Sequence, residues 1–119
     1  MYGLPDKIDL SFFLGKDLEQ ISFGPAQIQF YFSDRIHIGI GGKLSHSAGG
    51  KTSVWGEGVP PMNAASVLSL IGASVIDVHG TSDGTLTLTF SNDESLVLFD
   101  DSDHYESYTI RHGDDVFVV

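Results

Sequence analysis

The chain alternates apolar and polar residues in short runs, a pattern typical of β-strands that bury one face. Four such runs occur as two pairs, and within each pair the first run is followed by Ser, Asn or Asp residues, which favour tight turns. The runs are IQFYF (28–32), IHIGI (36–40), LTLTF (86–90) and SLVL (95–98). They predict two β-hairpins, one in each half of the chain.

The two hairpins belong to a longer repeat. Three aligned pairs mark it: Gly15 with Gly72, Ile28 with Leu86, and Ile36 with Leu96. The spacing between the copies grows slightly at each turn, where insertions are tolerated. We therefore expect an internal duplication, with units at about residues 9–56 and 63–111.

Each unit also predicts a short helix and further strands. Asp9 can cap a helix over LSFFLG, and Asn63 can cap one over AASVLSLI, with glycine ending both. We expect one strand before each hairpin, one after it, and a last strand, VFVV, behind a turn at the end of the chain. The strands around the hairpins are expected at residues 17–23, 52–56, 74–80 and 106–110.

The segment between the units, residues 41–62, is rich in Gly, Ser and Pro and predicts a mobile connection that carries one short strand. All 119 residues are expected to form one domain, because half of so short a chain could scarcely bury a core of its own. The predicted fold class is α+β and mainly antiparallel β, with two copies of a short helix plus three to four strands around one shared core.

Composition excludes several classes of protein. The chain has no cysteine, which excludes disulfides, thiolate metal sites and a cysteine nucleophile. Charged residues at Asp6, Lys7 and Asp9 interrupt the segment where a signal peptide would need an apolar run. No stretch approaches the roughly 18 apolar residues of a membrane span. We expect a cytoplasmic protein that does not enter a membrane.

The net charge bears on the partners of the protein. Sixteen acidic residues against six basic ones give a formal charge of −10, and the basic residues are scattered. Such a charge repels phosphate backbones, so nucleic-acid binding is not expected. The same field speeds encounter with a basic protein partner, although it also serves solubility alone.

Two stretches, LGKDLEQISFGPAQIQFYF (14–32) and YESYTIRHGDD (105–115), resemble a family of small bacterial proteins of unknown function. In that family an LGKxLxQIxFGP segment, a QIQF strand and a YESYxI strand recur. Because the family has no settled activity, the resemblance implies no catalytic residue and no cofactor. Small proteins of this type often look like immunity proteins of bacterial toxin systems, which is an analogy.

The acidic segment DDSDHYE (100–106) is the first candidate site. Its carboxylates, at Asp100, Asp101, Asp103 and Glu106, could supply oxygen ligands to a hard cation such as calcium. The spacing does not match an EF-hand loop, and a hydrated turn between two strands explains the same residues.

The aromatic residues near this segment are candidates for recognition. Tyr105, Glu106 and Tyr108 form a predicted binding strand, since exposed tyrosines are good interface anchors. Tyr105 and Tyr108 are three residues apart, so one should be buried and the other exposed. Trp55 is either a core residue or a contact residue.

No catalytic motif is found. The five histidines lack HExxH spacing, and the GxSxG, GxGxxG and P-loop patterns are missing, although a Ser-His-Asp arrangement could still assemble in space. We therefore predict a non-catalytic protein-binding module without a cofactor, with an immunity protein for a basic toxin as the leading case. The alternative is a small-ligand or divalent-cation binding protein. A homodimer could form through the last strand.

Overall fold

Ten strands form two five-stranded antiparallel sheets in a computed structural model that describes residues 1–119. The fold class is the predicted one, α+β and mainly antiparallel. The strands are β1 (Leu18–Phe23), β2 (Ile28–Phe32), β3 (Ile36–Ile40), β4 (Leu44–Ala48), β5 (Lys51–Trp55), β6 (Val75–Gly80), β7 (Leu86–Phe90), β8 (Ser95–Leu98), β9 (Tyr108–His112) and β10 (Asp115–Val118).

The two sheets exchange strands. The first sheet has the order β1-β2-β3-β9-β10, and the second has the order β6-β7-β8-β4-β5. Each sheet therefore combines the first three strands of one unit with the last two strands of the other. The inner faces of both sheets contribute to one continuous cluster of 25 buried apolar residues. Neither unit could keep its sheet without the other.

Hydrogen bonds between the units follow a pseudo-twofold relation. Gly15 N–H donates to the carbonyl of Val75, and Gly72 N–H donates to the carbonyl of Leu18, both at 2.8 Å. These two bonds exchange when one copy is mapped onto the other. The register shifts of the two edge strands also correspond: Leu18–Gln20 and Val75–Asp77. The duplication inferred from the sequence is therefore visible in the backbone geometry.

Both predicted helices are present, as 3₁₀ helices: Ser11–Phe13 and Pro61–Leu70. In the second helix the buried residues are Ala64, Val67 and Leu70, which are three apart and share one face at 3.0 residues per turn. The expected cap at Asn63 is wrong, because the helix begins at Pro61 and Asn63 lies inside it. Neither helix is long and apolar enough to cross a membrane.

The predicted mobile connection, residues 41–62, is instead ordered secondary structure. It contains β4, β5 and the first residues of the second helix, and Gly49-Gly50 makes the turn between the two strands. Glycines with positive φ suit such two-residue turns. By the strand order, β5 occupies the same place in the second sheet as β10 does in the first. The segment 52–56 therefore does not correspond to 106–110, although the sequence suggested that it does.

Candidate functional site

The acidic segment is an insertion relative to the repeat. Residues 41–43 join β3 to β4, whereas residues 99–107 make the corresponding connection from β8 to β9. The strand register fixes this correspondence. His46 lies opposite Leu96 and His112 lies opposite Ile36, and Ile36 and Leu96 are equivalent positions of the repeat, so β4 is equivalent to β9. In the first unit three residues are enough to connect the two sheets, so the fold does not require the long acidic loop of the second unit. Loops added to a rigid scaffold commonly carry function.

Asp100 anchors the base of this loop. Its side chain is only 5% exposed. It accepts hydrogen bonds from Gly3 N–H at 2.8 Å and from the Ser107 hydroxyl at 3.2 Å. Protein donors therefore occupy the carboxylate that the sequence proposed as a metal ligand.

The other proposed ligands do not gather around Asp100. Asp101, Asp103 and Glu106 are exposed, and no group of three or more His, Asp or Glu side chains could hold a metal ion. The physical reason is that Asp100 points inward as a structural acceptor, while Glu106 lines a different cavity from Asp101 and Asp103. The four predicted carboxylates are thus not gathered into one set of ligands.

A cavity of about 610 Å³ lies between the inserted loop and the end of β5. Trp55 and Tyr105 line it together with the carboxylate residues Glu57, Asp101 and Asp103. We call this cavity, defined by these five residues, the Trp55 groove. Two predicted recognition residues and two predicted acidic residues therefore meet at one place, and Glu57 is a further member that no sequence pattern singled out.

Hydrogen bonds hold the tip of the loop in place. The Tyr105 hydroxyl donates to Glu57 Oε2 at 2.9 Å, and this bond raises the pKa of Tyr105. The backbone N–H groups of His104 and Tyr105 donate to the Ser102 hydroxyl at 3.1 and 3.3 Å. Tyr105 is 43% exposed, so its ring is positioned by the protein and open to a partner.

Trp55, which the sequence predicted as either a core residue or a contact residue, is part of the core. It is only 2% exposed and belongs to the core cluster, and it also lines the Trp55 groove. Its indole N–H is buried without an acceptor. An unpaired buried donor costs about 1–3 kcal/mol.

Tyr108 is not a contact residue. It is 2% exposed, and its hydroxyl donates to the Gly84 carbonyl at 2.6 Å. Of the two tyrosines, Tyr105 is exposed and Tyr108 is buried, as their spacing predicts. The Tyr108 side chain therefore fixes the start of β9, which follows the inserted loop, and its ring is not open to solvent.

We expect Tyr108 to ionise only when the protein unfolds in alkali. Burial raises the pKa of Tyr108, followed by the charge of Asp83. A raised pKa favours the neutral phenol in the folded state, so this stabilisation is complete below the unfolded value of about 10 and is lost as the pH rises above it. Ultraviolet absorbance during an alkaline titration should show a late tyrosine phase that coincides with unfolding. A Tyr108→Phe variant that keeps the late phase would contradict the assignment.

The sequence did not single out a second polar cluster, around His46. This buried side chain contacts the Ser66 hydroxyl through Nδ1 at 2.8 Å and Glu94 Oε1 through Nε2 at 2.6 Å. The order Ser, His, Glu resembles a catalytic triad in its connectivity. None of the main cavities is lined by these three residues. We interpret the cluster as a structural network that fastens the second helix to the turn before β8.

A family model described as a family of unknown function (DUF6188) matches residues 11–119. The matched range covers both units, the inserted loop and all ten strands. No curated protein and no solved structure matches the chain.

Proposed function

We propose that this chain, which belongs to the DUF6188 family of unknown function, is a non-catalytic protein-binding module of the bacterial cytoplasm. Its Trp55 groove would take a basic segment of a partner protein. A basic toxin neutralised by an immunity protein is the case that the acidic charge favours. The inserted acidic loop carries the proposal, because it is added to a framework that closes without it in the other unit.

The charges around the groove favour a cationic partner. Glu57, Asp101 and Asp103 present three carboxylates against one lining cation, Lys43, whose ammonium lies over the Phe99 ring at 5.1 Å. The net charge of −10 would steer a basic protein towards the molecule. Neighbouring carboxylates would then hold a Lys or Arg side chain at the groove.

The aromatic residues add contacts that charge alone does not provide. A guanidinium or an alkyl stem can lie on the exposed Tyr105 ring, a contact common at the centres of interfaces. Recognition would thus combine an aromatic anchor with a carboxylate rim.

Neutralising the rim should weaken binding much more than neutralising distant acids. We expect the double variant Asp101→Asn, Asp103→Asn to bind a fluorescent oligoarginine peptide about tenfold more weakly than wild type, which corresponds to about 1.4 kcal/mol. The matched control, Glu19→Gln with Asp115→Asn, has the same net charge and exposed positions outside the groove. Fluorescence anisotropy at low and physiological salt gives the three affinities.

Equal losses in the two double variants would mean that only bulk charge attracts the peptide, and would overturn the groove. Tyr105→Ala tests the same groove without any change in charge. Affinity capture from the native lysate with wild type and both double variants then asks whether a natural basic partner depends on the same residues.

The homodimer through the last strand, which the sequence suggested, is a further prediction. The last strand, β10, is an edge of the first sheet, and Val116 and Val118 on it are exposed. An edge of this kind can pair with a second copy.

A further inference from the structure

The outer face of the first sheet carries a second groove, whose lining differs from the acidic and aromatic lining of the Trp55 groove. A cavity of about 280 Å³ runs over Gly39 and Gly41 of β3 and the connection after it. Gln27 lines it from the turn before β2, Gln29 lines it from β2, and Thr109 lines it from β9. We call this cavity the Gly39 groove. Its lining is almost entirely polar, which favours a small polar ligand.

Hydrogen bonds preorganise one wall of the Gly39 groove. The Gln29 amide N–H donates to Gln27 Oε1 at 3.0 Å, and His37 Nε2–H donates to Gln29 Oε1 at 2.5 Å. Because Nε2 is the donor, Nδ1 of the neutral imidazole is left as an acceptor. Burial, followed by the charge of Arg111, lowers the pKa of His37, which favours this neutral form near pH 7.

Gly39 makes room for this wall. A Cβ atom at position 39 would lie 2.7 Å from Gln29 Oε1, so any other residue would displace the amide from His37. The duplication supplies an internal comparison, because the equivalent position of the second sheet holds Phe99. The other groove residues also change in the second sheet: Thr87 for Gln29, Val97 for His37 and Ser45 for Arg111. The fold therefore does not require the groove.

Opposite charges stand at the two ends of the groove. Arg111 lies beside His37 in the strand register, while Glu106 lies beyond Gly41, next to Ser107, whose carbonyl accepts from Gly41 N–H at 3.1 Å. Neither charged side chain makes an ion pair or a side-chain hydrogen bond. Glu106 and Arg111 are five positions apart along the chain, so their Cα atoms are at most about 17 Å apart.

We propose that the Gly39 groove binds a short peptide with free ends, about four residues long. The terminal carboxylate would bind Arg111 and the terminal ammonium would bind Glu106. An extended peptide spans about 3.5 Å per residue, so four residues cover about 14 Å, and the Arg111 and Glu106 side chains are long enough to cover the remaining distance. The side-chain amides of Gln27 and Gln29 offer donors and acceptors that suit peptide groups, and Thr109 offers a hydroxyl. An uncharged saccharide would leave both charges unused.

The proposal is tested with tetraalanine and its capped forms, followed by NMR titration of the ¹⁵N-labelled protein. Tetraalanine with free ends should shift the amide signals of Gly39 and Thr109. The carboxy-amidated and amino-acetylated forms should each bind about tenfold more weakly, since each loses a charged hydrogen bond.

Two variants assign the ends separately. Arg111→Gln should lose the preference for the free carboxylate and keep the preference for the free ammonium, and Glu106→Gln should do the reverse. Both residues are exposed, so both variants should fold. Gly39→Ala should weaken binding by displacing Gln29, whereas Gly24→Ala, where a Cβ meets only an ordinary 3.6 Å contact, should not.

No shift at Gly39 and Thr109 with any of the peptides, or equal binding of free and capped forms, would overturn the proposal. Loss of binding in Asp101→Asn, Asp103→Asn would also count against it, because those residues line the Trp55 groove alone. The two grooves can therefore succeed or fail independently.

Discussion

Replacing Gly84 with alanine should lower the free energy of unfolding by about 3 kcal/mol. Gly84 has φ +92°, a conformation that costs an L-residue about 1–2 kcal/mol. The new Cβ would lie 2.5 Å from Asp100 Cβ, and Asp100 cannot easily move because it holds Gly3 and Ser107. Overpacking of this kind adds about 1–3 kcal/mol. Urea denaturation of variant and wild type measures the loss.

Gly15→Ala is the matched control. Gly15 also has positive φ, at +78°, but a Cβ there would meet no atom within 4 Å. It should therefore show only the backbone cost, about 1–2 kcal/mol. Equal losses for the two variants would mean that the contact with Asp100 contributes nothing. Because Asp100 anchors the inserted loop, Gly84→Ala should also weaken binding of the oligoarginine peptide, and Gly15→Ala should not.

The elements that the sequence predicted well are those with a local signal. The alternation in residues 28–32 and 86–90 corresponds to β2 and β7, whose alternate residues are fully buried. The turn residues between the hairpin strands also lie where predicted. These features need only the period-two pattern and turn chemistry, both of which act within a few residues.

β4 lacked such a signal. Its inward positions include the polar residue His46, and Ser45 beside it is also buried, so no apolar alternation marks the strand. β4 pairs with β8, which is distant in the sequence, and with β5, which the sequence predicted at residues 52–56 without the strand before it. The exchange of strands between the units depends on the same long-range pairing, and a local pattern could not reveal it.

The candidate site shows the same division. The sequence named Trp55, Tyr105, Asp101 and Asp103 one by one, and only the fold brings them together at one groove. It could not foresee that Asp100 turns inward, because the donors that hold Asp100 include Gly3, at the other end of the chain. Residue type indicates which bonds a side chain can make. Long-range packing decides whether those bonds are made to solvent or to other residues of the protein.

The His46 network provides the other large expected effect on stability. Replacing His46 with alanine should lower the free energy of unfolding by about 3–4 kcal/mol. The change leaves a cavity beneath the second helix and removes a donor at 2.6 Å from the partly buried Glu94 carboxylate. Glu94 keeps hydrogen bonds from the Ser69 hydroxyl at 2.5 Å and from the Asn92 amide at 2.9 Å, which limits the loss. Urea denaturation measures it.

His112 supplies the control from the other unit, because it occupies the position equivalent to His46. It stacks on Phe12 with ring centroids 4.2 Å apart and makes no side-chain hydrogen bond, and it is partly exposed. His112→Ala should therefore cost only about 1 kcal/mol, the value of an aromatic contact. A similar cost for the two histidines would show that the hydrogen bonds of His46 add little.

Experiments on Ser66 can distinguish a structural role of the His46 network from a catalytic one. If the network is structural, Ser66→Ala removes one hydrogen bond and costs about 1 kcal/mol, and a fluorophosphonate probe does not label the wild-type protein. If Ser66 were a nucleophile activated by His46, the probe would label it, and both Ser66→Ala and His46→Ala would abolish labelling. We expect no labelling, because none of the four main cavities of the molecule is lined by Ser66.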